Sequence, residues 1–113
     1  MNIDIEIEKA DTFLKRLIGL MFKREINKGL LFDLGREKKH GAAIHSFFVF
    51  SKFDAVFINE KMEIVDVKKE IKPFKAYIKP KKQSRYILEL PPGRTDEEKL
   101  KIGKKIDLQK IIK

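Results

Sequence analysis

Apolar and polar residues alternate along several short segments of this chain, with the two-residue period of a half-buried β-strand. The clearest case is the N-terminal segment, where Ile3, Ile5 and Ile7 alternate with acidic residues. Short apolar segments that are rich in β-branched and aromatic residues predict further strands. These predicted strands cover residues 30–32, 43–50, 55–58, 62–67, 85–90 and 105–108.

Two short helical segments are predicted beside these strands. Apolar residues within 13–18 fall on one helical face, and Gly19 can end that helix. Thr95 and Glu98 have the spacing of a capping box, which predicts one helical turn over 96–100.

Turns and loops separate the predicted elements. Asn59-Glu60-Lys61 joins two strands as a hairpin, and Pro92-Gly93 suits a type II turn. The segments 35–41 and 71–82 have loop composition, the second because it contains two prolines. Gly19 and Gly93 each follow an element that must end, so we expect positive φ at both.

Neighbouring strands without long helices between them predict a mainly β fold. We expect a small antiparallel β-barrel or sandwich of six to seven strands, with one short N-terminal helix and one helical turn near the C-terminus. The length of 113 residues fits a single domain, 1–113.

No apolar run approaches the roughly 18 residues of a membrane span, and the start lacks the basic residues of a signal peptide. We therefore expect a cytoplasmic protein without a membrane partner.

The amino-acid composition excludes several kinds of site and also indicates the kind of source organism. The chain has no cysteine, which excludes disulfides, thiolate metal sites and thiol catalysis. Charged residues make up 38% of the chain, against a typical value of about 25%. Enrichment in lysine and glutamate is typical of proteins from hyperthermophiles, which indicates a thermophilic source. No metal motif or nucleotide fingerprint is present, so no cofactor is predicted.

The net charge of +9 lies entirely in the C-terminal part of the chain. Residues 1–66 contain 11 basic and 11 acidic residues, whereas residues 67–113 contain 15 basic and 6 acidic residues. This excess predicts a basic face that includes Lys69, Lys72, Lys75, Lys79 and Arg85. Such a face can bind phosphate backbones weakly and without sequence preference, or it can be a solvated surface. We favour a solvated surface, because the chain has 21 lysines and only five arginines, and arginine is the better residue for phosphate contacts.

Three sequence motifs resemble those of the domain of unknown function 192 family, DUF192. The first is Arg16-Leu17-Ile18-Gly19-Leu20-Met21-Phe22 with the later Gly29-Leu30-Leu31-Phe32. The second is Ile44-His45-Ser46-Phe47-Phe48 running on to Asp54-Ala55-Val56-Phe57-Ile58. The third is Tyr86-Ile87-Leu88-Glu89-Leu90-Pro91-Pro92-Gly93, and Gly103 fits the closing glycine.

The resemblance implies a compact β-rich domain and supplies no agreed catalytic residues. Two positions depart from the family pattern. Lys52-Phe53-Asp54 stands where the family usually has Pro-Leu-Asp or Pro-Ile-Asp, and Lys104 stands where an aspartate usually follows the glycine.

Candidate site residues fall into two groups. His45, Asp54 and Arg16 could serve as base, acid and cationic group of a small enzyme. His45, Phe47, Phe50, Phe53 and Glu89 could instead line a binding cleft. The structural alternatives are a packed histidine, an aromatic-rich core, and acids that pair with Arg16 or Arg85.

The sequence therefore favours a non-catalytic intracellular binding module with an aromatic-lined cleft and a basic face. Its ligand would be an unknown small molecule or a protein. A small enzyme using His45, Asp54 and Arg16 is the first alternative. A non-specific nucleic-acid-binding accessory protein is the second.

Overall fold

Short apolar strands of the chain assemble into one sheet in the computed structural model, which describes residues 7–10, 29–38, 52–72 and 79–108. Of Ile7–Ala10, Leu30 and residues 36–38 it describes the backbone only. The elements in chain order are β1 (Ile7–Ala10), β2 (Gly29–Lys38), β3 (Phe53–Ile58), β4 (Ile64–Ile71), β5 (Ser84–Leu90) and a one-turn helix α1 (Arg94–Glu97).

The strand order in the sheet is β1-β2-β5-β3-β4. The last four strands pair antiparallel, as predicted, but β1 pairs parallel to β2. The mainly β prediction is thus confirmed, and the expectation of a purely antiparallel sheet is wrong. The described part of the sheet is open. The predicted strand at 43–50 and the predicted helix at 13–18 lie outside the described residues.

Strands β3 and β5 match their predicted bounds within two residues, whereas β2 and β4 are longer than predicted. Residues 35–38 were expected to form a loop but belong to β2, and β4 continues to Ile71. Both extensions carry irregular pairing. The register of β2 shifts after Asp33, whose Oδ1 accepts a hydrogen bond from the Gly35 amide at 2.8 Å. Glu70 near the end of β4 has φ +48°. Both segments are bulged and rich in charged residues, which is the composition of loops, and this explains why they were predicted as loops.

The predicted hairpin between β3 and β4 is confirmed. The Asn59 Oδ1 atom accepts hydrogen bonds from the amides of Lys61 and Glu63, each at 2.9 Å. Met62 takes a φ of +64° in this turn. The asparagine side chain therefore replaces backbone partners and fixes the connection.

Side chains alternate between the two sides of the sheet, and both sides carry a core. We call the first side the phenylalanine face; its buried members are Phe32, Phe53, Ala55, Phe57, Ile71 and Ile87. We call the second side the leucine face; its buried members are Leu31, Val56, Ile58, Ile64, Tyr86, Leu88, Leu90, Leu100, Ile106 and Leu108. The C-terminal residues of the second cluster show that the chain after α1 packs on the leucine face.

In the segment after β5 the predicted turn is confirmed, but the predicted capping box and the predicted start of the helix are wrong. Gly93 has φ +83° and the Arg94 amide donates to the Pro91 carbonyl at 3.1 Å, which confirms the predicted turn. Thr95, however, lies inside α1 with a buried hydroxyl that has no hydrogen-bond partner, so the predicted capping box is wrong. Gly93 is the N-cap residue instead, and the helix begins two residues earlier than predicted.

The predicted strand at 105–108 is also wrong. Lys105 forms a single bridge with Glu63. The chain there is held by the burial of Ile106 and Leu108 in the leucine face and by the hydrogen bond that the Ile106 amide donates to the Met62 carbonyl at 2.9 Å. Alternating apolar residues at 106 and 108 therefore reflect packing on a sheet and not membership of it.

Candidate ligand-binding site

Seven of the residues singled out from the sequence lie in the described part of the chain. They are Phe53, Asp54, Lys69, Lys72, Lys79, Arg85 and Glu89. Arg16, His45, Phe47, Phe50 and Lys75 lie outside it, as does Gly19. The grouping of His45, Asp54 and Arg16 in one pocket therefore stays a prediction.

Asp54 is fully buried in β3, and both of its carboxylate oxygens accept hydrogen bonds from backbone amides. The Glu70 amide donates to Oδ1 at 2.8 Å, and the Thr95 amide donates to Oδ2 at 3.1 Å. The first bond holds the bulged end of β4, and the second holds the first turn of α1. A carboxylate between two backbone donors connects three elements of the fold, which is a structural role.

Asp66 in β4 has a similar role, which the sequence analysis missed. It is 1% exposed. Its Oδ1 accepts from the Val67 amide at 2.8 Å, and its Oδ2 accepts from the Lys81 amide at 2.9 Å. The Lys68 ammonium lies 3.3 Å from Oδ2. A single acid between two valines was the available signal, since such a residue on a strand must find partners if it is buried.

Glu89 occupies a different kind of position. It lies in β5, the central strand, and its register partners are Leu30 on one side and Ala55 on the other. Because side chains alternate, Glu89 shares the phenylalanine face with Ile87. The residue is only 5% exposed. A carboxylate at the centre of an apolar face is costly to bury unless polar or charged groups lie against it. The neighbour of Glu89 on β3 is Ala55, whose side chain is a single methyl group.

Phe53, the described member of the predicted aromatic cleft, is fully buried on the same face. Together with Phe32 and Phe57 it forms part of the core cluster. The structure therefore brings Phe53 and Glu89 to one side of the sheet and gives the described rings a packing role.

Lys69 and Arg85, two members of the predicted basic face, each contact a named acid. The Lys69 ammonium lies 2.6 Å from Asp96 Oδ1, and this hydrogen bond raises the pKa of Lys69 above its ordinary value. Arg85 binds Asp33 through Nε at 3.0 Å and Nη2 at 3.4 Å. This pairing raises the pKa of Arg85. Arg85 thus pairs with Asp33, and not with Asp54 or Glu89 as the sequence suggested.

The guanidinium carbon of Arg85 also lies 5.1 Å from the centre of the Tyr86 ring. The carboxylate and the ring together fix the orientation of the arginine. Lys72 and Lys79 are exposed. The described basic face is therefore a set of lysines with one positioned arginine.

The described ranges contain no group of three histidine, cysteine, aspartate or glutamate side chains arranged to hold a metal ion. They also contain no helix of the length and apolar character that a membrane crossing requires.

Comparison with known proteins gives a consistent result over nearly the whole chain. Residues 1–108 match the profile of DUF192, described as "Uncharacterized ACR". A UPF0127 protein of Pyrococcus horikoshii is 41% identical over 101 residues, which are 89% of this chain and 85% of that protein. A UPF0127 protein of Thermococcus sibiricus is 39% identical over the same length, but this chain spans only 64% of it. These relatives come from thermophilic archaea, in agreement with the composition.

Two solved structures share the fold. One is a protein of Sinorhizobium meliloti, provisionally named a transcription regulator, with a TM-score of 0.80 and 24% identity over 89% of this chain and 79% of that chain. The other is a protein of unknown function from Novosphingobium aromaticivorans, with a TM-score of 0.80 and 19% identity over 89% and 73%. At these identities the likeness shows the fold alone.

Proposed function

The chain belongs to the DUF192 family, and on that premise we propose that it is a non-catalytic, cytoplasmic binding module. Its site lies on the phenylalanine face, at Glu89. The ligand is a small molecule or a protein segment that places an apolar group on the face and a hydrogen-bond donor or a cation at the carboxylate.

The observation that carries this proposal is the position of Glu89. It is 5% exposed in the central strand, on an apolar face, with an alanine as its neighbour on β3. The carboxylate has two acceptor oxygens, so a ligand group that donates a hydrogen bond suits this position beside the partner that Glu89 already has in the fold. Binding sites combine apolar walls with a few polar groups in this way.

The other buried carboxylates support binding over catalysis. Asp54 accepts two backbone hydrogen bonds, and Asp66 accepts two backbone hydrogen bonds and contacts Lys68. A general acid or base must exchange a proton with a substrate, so its oxygen must be within reach of one. The enzyme alternative built on Asp54 is weakened by these contacts.

On the sequence pattern we extend the same site to His45, Phe47 and Phe50, with Phe53 as its packed floor. In this proposal the strand predicted at 43–50 adds to the sheet and completes the barrel or sandwich of six to seven strands. An aromatic strand that is apolar on both sides fits such a position beside an apolar face.

A thermal-shift experiment tests the proposal with three compounds that share one benzyl or phenyl group: benzylamine, benzyl alcohol and benzoate. We expect benzylamine to raise the melting temperature of the protein more than the other two. Glu89→Gln should remove this preference, whereas the control Glu97→Gln, at an exposed position of α1, should keep it. Equal shifts for all three compounds, or the same preference in Glu89→Gln, would contradict the proposal.

Non-specific nucleic-acid binding is the second candidate function. Lys79, Lys81 and Lys82 are exposed on one short segment, and Lys72 is exposed just before the gap that precedes it. Lysine ammonium groups attract phosphates without reading bases. Since Lys69 and Arg85 are engaged with acids, we expect weak binding without sequence preference.

A further inference from the structure

Ile102 is the one large apolar residue that is exposed in the described part of the chain, with 58% of its surface accessible. A single exposed apolar residue is common on protein surfaces. The position of Ile102 is less common. The Lys104 amide donates to the Lys101 carbonyl at 3.1 Å, and Gly103 has φ +93°, so Ile102 is the second residue of a tight turn. Turn tips usually carry proline or small polar residues.

The turn is fixed before any partner arrives. The Gly103 amide donates to the Ile64 carbonyl at 2.8 Å, and the Ile64 amide donates to the Lys104 carbonyl at 2.9 Å. Leu100 and Ile106 on either side are buried in the leucine face. A preordered backbone loses less conformational entropy on binding, which favours association through the side chain that it presents.

Exposed lysines flank Ile102 along the chain. Lys99, Lys101, Lys104 and Lys105 are all exposed, and no acidic residue occurs from Lys99 to Ile106. The Lys104 ammonium donates to the Lys99 carbonyl at 3.2 Å, which holds one of the four charges beside the turn. We call residues 99–105 the Ile102 turn. The turn therefore presents one apolar side chain among positively charged side chains.

We propose that the Ile102 turn is a docking element for an acidic protein partner that has an apolar pocket for Ile102. An apolar centre with a charged rim matches the layout of protein interfaces. A second copy of the chain is disfavoured as the partner because each copy carries a net charge of +9. Nucleic acid would use the lysines but gain nothing from an aliphatic tip, since bases stack on rings.

The size of the turn also sets the kind of association. Seven residues are fewer than the roughly 20–30 residues a side of a stable interface. The interaction is therefore transient, steered by charge and sensitive to salt. It is independent of the proposed ligand site, because the turn follows Leu100 on the leucine face, on the other side of the sheet from Glu89.

A displayed library of random short peptides, selected on the intact protein, is the direct probe. We expect enriched peptides in which Asp or Glu residues flank an apolar or aromatic residue. In fluorescence polarisation Ile102→Ser should weaken their binding by about 10-fold, because the apolar contact is lost. Ile102→Leu should restore it. Lys101→Gln with Lys105→Gln should reduce the salt dependence of binding, and the matched control Lys81→Gln with Lys82→Gln should not.

Circular dichroism of Ile102→Ser should show an unchanged melting temperature, since the side chain is exposed. Absence of enriched peptides, enrichment without acids, or equal binding by Ile102→Ser would overturn the proposal. Binding to anionic phosphatidylserine vesicles or to an oligonucleotide that depends on Ile102 and exceeds peptide binding would overturn the partner class.

Discussion

Replacing Asp54 by asparagine should destabilise the fold far more than an exposed replacement of the same kind. The carboxylate accepts backbone hydrogen bonds from Glu70 at 2.8 Å and Thr95 at 3.1 Å, and it is fully buried. Asparagine keeps one acceptor oxygen but turns an NH₂ group toward the other amide. One charge-assisted hydrogen bond is lost, and a buried N–H has no acceptor.

A hydrogen bond to a charged group contributes about 1.5–3 kcal/mol, and an unsatisfied buried donor costs about 1–3 kcal/mol. The two effects overlap, so we expect a loss of about 2–4 kcal/mol in the free energy of unfolding. The control is Asp96→Asn, because Asp96 pairs with Lys69 on the surface. Exposed pairs contribute little to stability, because solvent screens them.

Guanidinium chloride unfolding followed by circular dichroism measures both variants, and an unchanged slope would place the effect in the native state. Hydrogen exchange adds a local readout. The amides of Glu70 and Thr95 should exchange faster in Asp54→Asn, because each depends on this carboxylate. If Asp54→Asn lowers the free energy of unfolding no more than Asp96→Asn does, and if exchange at both amides is unchanged, then Asp54 does not connect these elements as described.

Three further predictions concern the turn, the surface pair and the basic segment. Gly93→Val should cost more than about 1 kcal/mol, because valine fits the φ of +83° poorly; melting within a degree or two of wild type would contradict this. The raised pKa of Lys69 should fall toward its ordinary value in Asp96→Asn when followed by NMR titration. The stabilising effect of this pair should be present at neutral pH and lost as the pH rises through that raised pKa; an unchanged titration would count against the pairing. Oligonucleotides should bind at about 10⁻⁴ to 10⁻⁶ M at physiological salt, and Lys81→Gln with Lys82→Gln should lower the salt slope by about two units. Nanomolar, sequence-selective binding would place the nucleic-acid function first.

The sequence predicted the parts of the fold that depend on local pattern. Strands β3 and β5 have the apolar runs of central strands, and Asn59 and Gly93 have turn chemistry that acts within a few residues. Segments fixed by distant contacts were misread. Ile106 and Leu108 alternate because both pack on the leucine face, which only the folded sheet reveals.

The candidate site divides in the same way. Glu89 was already a candidate from the sequence, as one of the residues that could line a binding cleft. The role of Asp54 was not predicted, because its partners are backbone amides 16 and 41 residues away. Backbone donors carry no residue type, so no sequence pattern marks them. Arg85 and Asp33 are 52 residues apart and come together because β2 pairs with β5, which is likewise a property of the assembled sheet.

Amide chemical-shift mapping with benzylamine shows directly whether a ligand binds beside Glu89. If the phenylalanine face binds ligand at Glu89, benzylamine should shift the amides of Ala55, Ile87 and Glu89, and Glu89→Gln should remove these shifts. Shifts confined to the exposed carboxylates of α1, or a map that is the same in wild type and Glu89→Gln, would contradict a binding site at Glu89.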